Sequence, residues 1–371
     1  MTRRLRIGVI GVGGIAQMMQ LPYLRELSDR YELAALCDVD AATVERVAEI
    51  YNVPARFTNA RDLLAESLDA VFILTSGDHT ETVLAALDRG LHVFCEKPLA
   101  YTLRETDEII AAQRRSGRIL MVGMMKQYDP GYRRGIAAIR ALQDLRYVDA
   151  RVMHPDDGLY RQHHPIVKGG EVVIGERAPA EMPFGPEMFQ RVQKGILEHE
   201  PVALLQEATG SDRPEVLTAY LLLIASSIHD ATALRGALGP ASGVVNAHTW
   251  AGGTSFTATI EYPNHVRATY TWSLLPYLKH YVQDYSFYAS DGRVHIRFPS
   301  PYLKNTPTLV DIETMDGTEL HVSRIVASYD EAFRLELVHF HECVTMNKPP
   351  LTDAEGFRLD LELLTAIAKA M

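Results

Sequence analysis

Arg6-Ile7-Gly8-Val9-Ile10-Gly11-Val12-Gly13-Gly14-Ile15-Ala16 decides how the rest of the chain is read. Arg6 to Ile10 is an apolar run of strand length, and a G-x-G-x-x-A pattern follows it without a break. A helical segment comes next, from Ala16 to about Leu27. Gly11 permits a tight turn, Gly13 lets a backbone approach a pyrophosphate, and Ala16 allows close helix–sheet packing. The helix N-terminus offers N–H groups to phosphate oxygens, so Gly11, Gly13, Gly14, Ile15 and Ala16 form a candidate dinucleotide cradle. A glycine pattern alone is weak; the strand before it and the helix after it give it weight.

Working outward, the second strand, Glu32 to Cys37, ends at Asp38. An acid some twenty residues after the glycines can accept hydrogen bonds from ribose hydroxyls. Val39 and Asp40 follow, with no Arg or Lys to hold a 2′-phosphate, which favours NAD over NADP. Asp38 is equally suited to cap the helix Ala41 to Tyr51. Strand and helix then alternate: Ala55 to Phe57, Arg61 to Glu66, Ala70 to Leu74, Thr80 to Arg89, Leu91 to Cys95, Leu103 to Arg115 and Ile119 to Gly123. That spacing predicts a parallel, doubly wound α/β sheet of the Rossmann type.

The strand Leu91 to Cys95 runs into Glu96-Lys97-Pro98. Ligands of open α/β sheets sit outside the carboxyl ends of the strands, so a lysine there faces whatever the sheet binds. In isolation the tripeptide reads as a surface lysine and a helix-starting proline. The glycine turn, Asp38, "TSGDHTETVLAALDRGLHVFCEKPLA" and "MVGMMKQYDPGY" together resemble the glucose–fructose oxidoreductase, inositol dehydrogenase and MocA-like (Gfo/Idh/MocA) family, whose signature is the Glu-Lys-Pro strand end. The resemblance is close over the N-terminal third and returns at "NKPPLTDAEGFRLDLELLTAIAKA". It implies a cis bond at Lys97-Pro98 that turns the lysine toward a nicotinamide. Thr75, His79, Glu96 and Lys97 are then implied cofactor neighbours. Thr75-Ser76-Gly77 departs from the family's usual Thr-Pro-Asn, a change a backbone contact survives.

From His154 to Pro214 the chain is rich in proline and glycine, and reads as one long irregular functional loop or lid. His163, His164 and Lys168 within it read as solvated residues. A helix from Pro214 to about Gly236 follows. Alternating runs come after it: Val244 to Trp250, Ser255 to Tyr262, Val266 to Trp272, Val282 to Ala289 and Val294 to Phe298. They predict a largely antiparallel sheet, one face on helices and the other needing a partner, hence a homodimer or homotetramer. Helices Phe333 to Thr345 and Asp353 to Ala370 close the chain. The expected division is a dinucleotide-binding domain over 1–125 and a substrate-binding and oligomerisation α+β domain over 126–371.

A net charge of −10 opposes a general nucleic-acid binder. Cys37, Cys95 and Cys343 are too scattered for a disulfide framework or a zinc site, and read as apolar residues in a reducing compartment. No metal site is expected; His339 and His341 are two apart on a helix and diverge. Arg3-Arg4 before an apolar run resembles an export signal, but Gly8 and the glycine turn interrupt it. No run reaches membrane-spanning length. A cytoplasmic protein is expected, with no membrane partner.

Sugar and cyclitol dehydrogenases of the family pair the signature lysine with a second-domain histidine, often with an aspartate four residues earlier. His229 is the implied histidine, with Ala225 where that aspartate would stand and Asp230 pointing elsewhere on the helix. On this reading His229 takes the proton of a secondary hydroxyl while hydride leaves its carbon. Lys97, its pKa lowered beside an oxidised nicotinamide, stabilises the same oxygen. Lys126 and Tyr128 are candidate substrate contacts, although a solvated cation and a packing ring read equally well. Three functions stay open: an NAD-dependent dehydrogenase of a sugar, cyclitol or sugar derivative; a redox-neutral glycosidase or epimerase on a retained cofactor; and a cofactor-binding sensor.

Overall fold

Among the residues that the computed structural model describes, 3–156, 158–174 and 186–371, three sheets form. The first is built from β1 (Leu5–Ile10), β2 (Tyr31–Cys37), β3 (Ala55–Phe57), β4 (Ala70–Ile73), β5 (His92–Glu96) and β6 (Leu120–Gly123). Every pair in it is parallel, in the order β3-β2-β1-β4-β5-β6. Its central strands are buried on both faces, as a sheet covered by crossover helices must be. The order reverses between β1 and β4, the switch point at which such sheets bind ligands.

Local signals set the helix ends. Thr102 and Glu105 form a capping box on helix Leu103–Ser116, and Gly117 ends it at a φ of 64°. Asp40 caps helix Ala41–Tyr51, accepting from the amides of Ala42 and Thr43. The cap is therefore Asp40, and Asp38 is left for the glycine turn.

His92 opens β5, and its Nδ1 accepts the Ile119 amide at 3.0 Å. Burial and the Arg118 charge hold its pKa down to about 4, against a smaller upward pull from Asp69. A folded pKa below the ordinary 6.5 means that protons favour the unfolded chain, so stability falls as pH drops from about 6.5 toward 4. His92→Asn keeps an acceptor for Ile119 without the titration. Its melting temperature is expected to decline less over that window, by thermal unfolding at stepped pH; an unchanged decline contradicts the assignment.

The second sheet is mostly antiparallel. Its strands are β7 (Leu145–His154), β10 (Gly243–Trp250), β11 (Ser255–Glu261), β12 (Arg267–Leu274), β13 (Val282–Ala289), β14 (Gly292–Arg297), β15 (Leu309–Asp316) and β16 (Glu319–Val326), with the hairpin β8 (Pro165–Lys168) and β9 (Glu171–Ile174) forming the third sheet. The large sheet runs β10-β11-β12-β7-β13-β14-β15-β16, with β7 parallel to β12 and antiparallel to β13. The simple meander is thus interrupted by a strand whose residues lie 120 positions before their partners in β12 (Tyr147 against Arg267). β15 and β16 were not foreseen, because β16 carries alternating polarity on an almost wholly exposed strand.

The stretch from His154 to Pro214, expected to be irregular, carries regular elements among its described residues. It contains the β8–β9 hairpin and helices Pro186–His199 and Val202–Thr209; Pro179 and Pro183 lie outside the described residues. The long helix is continuous over Pro214–Leu238 with a wide turn at Leu223–Ser227. By length and apolarity it would pass for a membrane span, contrary to the reading that no run is long enough. About 78% of its apolar window is buried inside the protein, as in a core helix.

The chain forms two compact units. One is Met1–Met125 with Arg161–Glu176 and Phe333–Arg358; the other is Lys126–Tyr160, Arg177–Ala332 and Leu359–Met371. A single cut after residue 125 omits two segments that return to the first unit. Phe340, on helix Ala332–Met346, packs edge-on against Phe72 and Phe94 of the parallel sheet. Thr352 exchanges bonds with both the amide and the carbonyl of Val122. These contacts are core, and core holds a unit together.

Candidate active site

The first unit gathers the dinucleotide cradle. Gly11, at a φ of 89°, sits so close to the Thr75 loop that a Cβ would lie 2.6 Å from the Thr75 nitrogen. Only glycine fits there. A Cβ at Gly13 would meet nothing within 4 Å, so the turn has open space above it, as a bound pyrophosphate requires. Asp38 closes the turn from β2, its Oδ2 accepting the Val12 amide at 2.9 Å and its Oδ1 the Asp40 amide at 3.1 Å. The donor set and the open turn fit a dinucleotide.

Gln17, one residue past Ala16, was not singled out from the sequence. Its amide donates to the carbonyls of Val12 (2.7 Å) and Val167 (2.9 Å), and its Oε1 accepts the Val167 amide at 2.6 Å. The Gly169 amide donates to Asp40 and to Thr43. The β8–β9 hairpin is therefore fastened to both the cradle helix and the start of the next one. Nothing local in the sequence announces a partner 150 residues away.

At the end of β5 the Lys97-Pro98 bond is cis. Glu96 lies behind it, 5% exposed, accepting from Gln20 Nε2 at 3.1 Å and from the Lys97 amide at 3.3 Å. A Cβ on Gly123 would press on that carboxyl at 3.3 Å, so the glycine leaves its space. Burial raises the Glu96 pKa, opposed by the Lys97 charge. Glu336 is fully buried and near enough to feel Glu96; burial first, then that second carboxyl, holds its own pKa well above the usual range. Only the folded chain brings them together.

His79 is 1% exposed, with Nδ1 at 2.7 Å from the Pro98 carbonyl and Nε2 at 2.9 Å from the Thr75 carbonyl. Both ring nitrogens are thereby engaged by backbone. His79 braces the Thr75 loop against the proline turn.

The second unit holds the other candidates. Lys126 is only 7% exposed, with its ammonium 5.0 Å above the Phe298 ring, so it is not the solvated cation of the bland reading. Tyr128, in the same short turn (Met125–Tyr128), is 3% exposed. His229 lies in the first turn of Ile228–Leu238, half-buried, as are Ala225 and Ser226 on the wide turn before it. Asp230 turns the other way, into the sheet, where it accepts from Tyr270 at 2.8 Å and from Gln283 and Tyr285. No group of three His, Cys, Asp or Glu residues able to hold a metal occurs among the described residues.

Fold and cradle together define a Rossmann dinucleotide-binding protein with a second α+β unit. Residues 5–124, about a third of the chain, match the model of the oxidoreductase family with an NAD-binding Rossmann fold (GFO_IDH_MocA). An inositol 2-dehydrogenase/D-chiro-inositol 3-dehydrogenase of Shouchella clausii is 38% identical over 135 residues, which are 34% of this chain and 38% of that protein. The chain thus aligns with well under half the length of such curated relatives. Among solved structures, a 3-ketoreductase from Actinomadura kijaniata in complex with TDP-benzene and NADP, in an open conformation, has a TM-score of 0.72 at 20% identity, covering 99% of this chain and 98% of that one. A UDP-N-acetylglucosamine 3-dehydrogenase from Acidithiobacillus ferrooxidans has a TM-score of 0.71 at 18% identity, covering 100% and 98%. Those two likenesses establish the fold alone.

Proposed function

We propose that this chain is an NAD-dependent oxidoreductase of a secondary hydroxyl on a sugar, cyclitol or sugar derivative. The observation that carries the reading is Lys97 at the carboxyl end of β5, beside the switch point, with Glu96 buried behind it. The bound nicotinamide supplies hydride acceptance or donation. Gly11, Gly13, Gly14, Ile15 and Ala16 hold the pyrophosphate, and Asp38 accepts from the ribose. His229 takes the hydroxyl proton, and Lys97 stabilises charge developing on that oxygen. Lys126 and Tyr128 contact the substrate. The inositol dehydrogenase activity of the Shouchella clausii relative supports the substrate class.

We infer NAD rather than NADP because acids stand at positions 38 and 40 and no Arg or Lys stands there to pair with a 2′-phosphate. Asp38→Ala is expected to weaken NAD binding by about tenfold or more, the worth of a charged hydrogen bond, and NADP binding by less. Calorimetric titration of both nucleotides checks this, and an equal loss for both contradicts it. We place the enzyme in the cytoplasm, as a homodimer or homotetramer. The exposed Met315, Leu320, Val322 and Val326 of β15–β16 support self-association.

Reduction of added NAD, followed by absorbance with a panel of inositols, sugars and nucleotide sugars, tests the main reading. One feature favours a second: the hairpin fastened to Gln17, Asp40 and Thr43 suits a nucleotide kept through a redox-neutral cycle. Nucleotide copurifying with the protein, and substrate converted without net reduction, would select that reading.

A further inference from the structure

An aromatic cluster stands at the carboxyl ends of β7 and β12 and the start of β13. His154 lies over Trp272, with ring centroids 5.6 Å apart and 32° between planes. Tyr281 meets His154 edge-on at 5.5 Å, and Tyr160 meets Tyr281 at 6.4 Å. Trp272 is buried as a backing layer, stacked on Phe256, whereas His154, Tyr160 and Tyr281 are half-buried and keep surface toward solvent. Tyr277 and Leu278 continue the exposed apolar surface in the β12–β13 connection.

Two chains of bonds tie this cluster to the residues flanking His229. The Trp272 indole donates to Ser226 Oγ at 3.1 Å. Tyr281 donates to Gln283 Oε1 at 2.8 Å, and the Gln283 amide donates to Asp230. Ser226 and Asp230 lie on either side of His229, and Ser226 shares its partly open helix face. The Tyr281 backbone amide donates to the Tyr160 hydroxyl at 2.8 Å, which fixes the outer ring as well. The cluster and the residues on either side of His229 thus belong to one hydrogen-bonded body.

We propose that Tyr281, Tyr160 and His154 form a ring-stacking platform for the C–H face of a pyranose or cyclitol, held in register with His229. A sugar or cyclitol ring presents axial C–H groups on one face, and these pack on aromatic rings while the hydroxyls at the rim stay wetted. The platform orients the ring, and His229 meets one hydroxyl at its edge. The proposal rests on the hydroxyl-oxidation reading for the role of His229, and adds residues that fix ring orientation and specificity.

The test uses the chain's two tryptophans. Trp250 is half-exposed, and Trp250→Phe leaves Trp272, directly beneath the platform, as the single reporter. Inositol, D-xylose and UDP-N-acetylglucosamine are titrated into the NAD-saturated variant. A saturable change in emission with at least one is expected. Loss of the ring in Tyr281→Ala should raise both that ligand's half-saturation and its KM by about tenfold, the worth of one good ring contact, while NAD affinity holds. Tyr281→Phe should stay within about threefold of the parent, because the ring remains. A substrate that turns over without changing Trp272 emission, or with KM unmoved in Tyr281→Ala, overturns the platform and leaves the hydride reading standing. Saturable binding without oxidation of any ligand retains the platform and overturns the hydride reading. Silence toward every ligand overturns the platform.

Discussion

Lys97→Met is expected to lower kcat by about 10²- to 10⁴-fold, the range for losing a positioned proton donor or charge stabiliser. The side chain is replaced by one of similar length, and the Glu96 contact to the residue 97 backbone amide is retained. NAD affinity should therefore move little, because Gly11, Gly13 and Asp38 are untouched. Single-turnover absorbance measures the chemical step and calorimetry the nucleotide. Full turnover in the variant contradicts the assignment of Lys97. A loss of NAD binding with the loss of rate would instead make Lys97 part of the cradle.

The largest structural effect is expected at Asp360. It accepts a two-pronged contact from Arg235, at 2.7 and 2.9 Å, and the Thr232 hydroxyl at 2.6 Å. Its side chain is 2% exposed and that of Arg235 24%. Asp360→Ala strands a guanidinium in a largely buried site, a change that costs about 3–5 kcal/mol when a buried pair loses one partner. The double variant Asp360→Leu with Arg235→Met should recover much of that loss, because the desolvation cost goes with the charges. Urea unfolding of the three chains checks both statements. Equal destabilisation of single and double variants would place the cost in packing instead.

How much of this could be read beforehand depends on sequence separation. The parallel sheet was legible because each signal is local: a strand, a glycine turn, a helix and an acid within about forty residues. Asp40 rather than Asp38 as the cap is a two-residue distinction that composition cannot make. Five strands of the second sheet, β10 to β14, were legible one by one, but β15 and β16 were not, and β7 enters from the far side of the long helical region. Gln17, Gln20 and Glu336 were invisible as site residues. Their partners are Val167, Glu96 and the carboxyl cluster behind Lys97, and the first two lie 150 and 76 residues away. His79 was found by resemblance, but its brace between two carbonyls needed coordinates. The aromatic cluster was likewise scattered over strands that only the sheet brings together.

The three-piece composition of the first unit carries a consequence for synthesis. Tyr31 donates its hydroxyl to the carbonyl of Leu337, Phe340 completes the aromatic layer over Phe72 and Phe94, and Thr352 pairs with Val122. Domains commonly fold as they leave the ribosome, N-terminal first. Here the nascent parallel sheet must wait, with part of its apolar surface uncovered, until some two hundred further residues have been translated. A fragment ending at residue 125 inherits that incompleteness permanently, with the layer that Phe340 covers left bare.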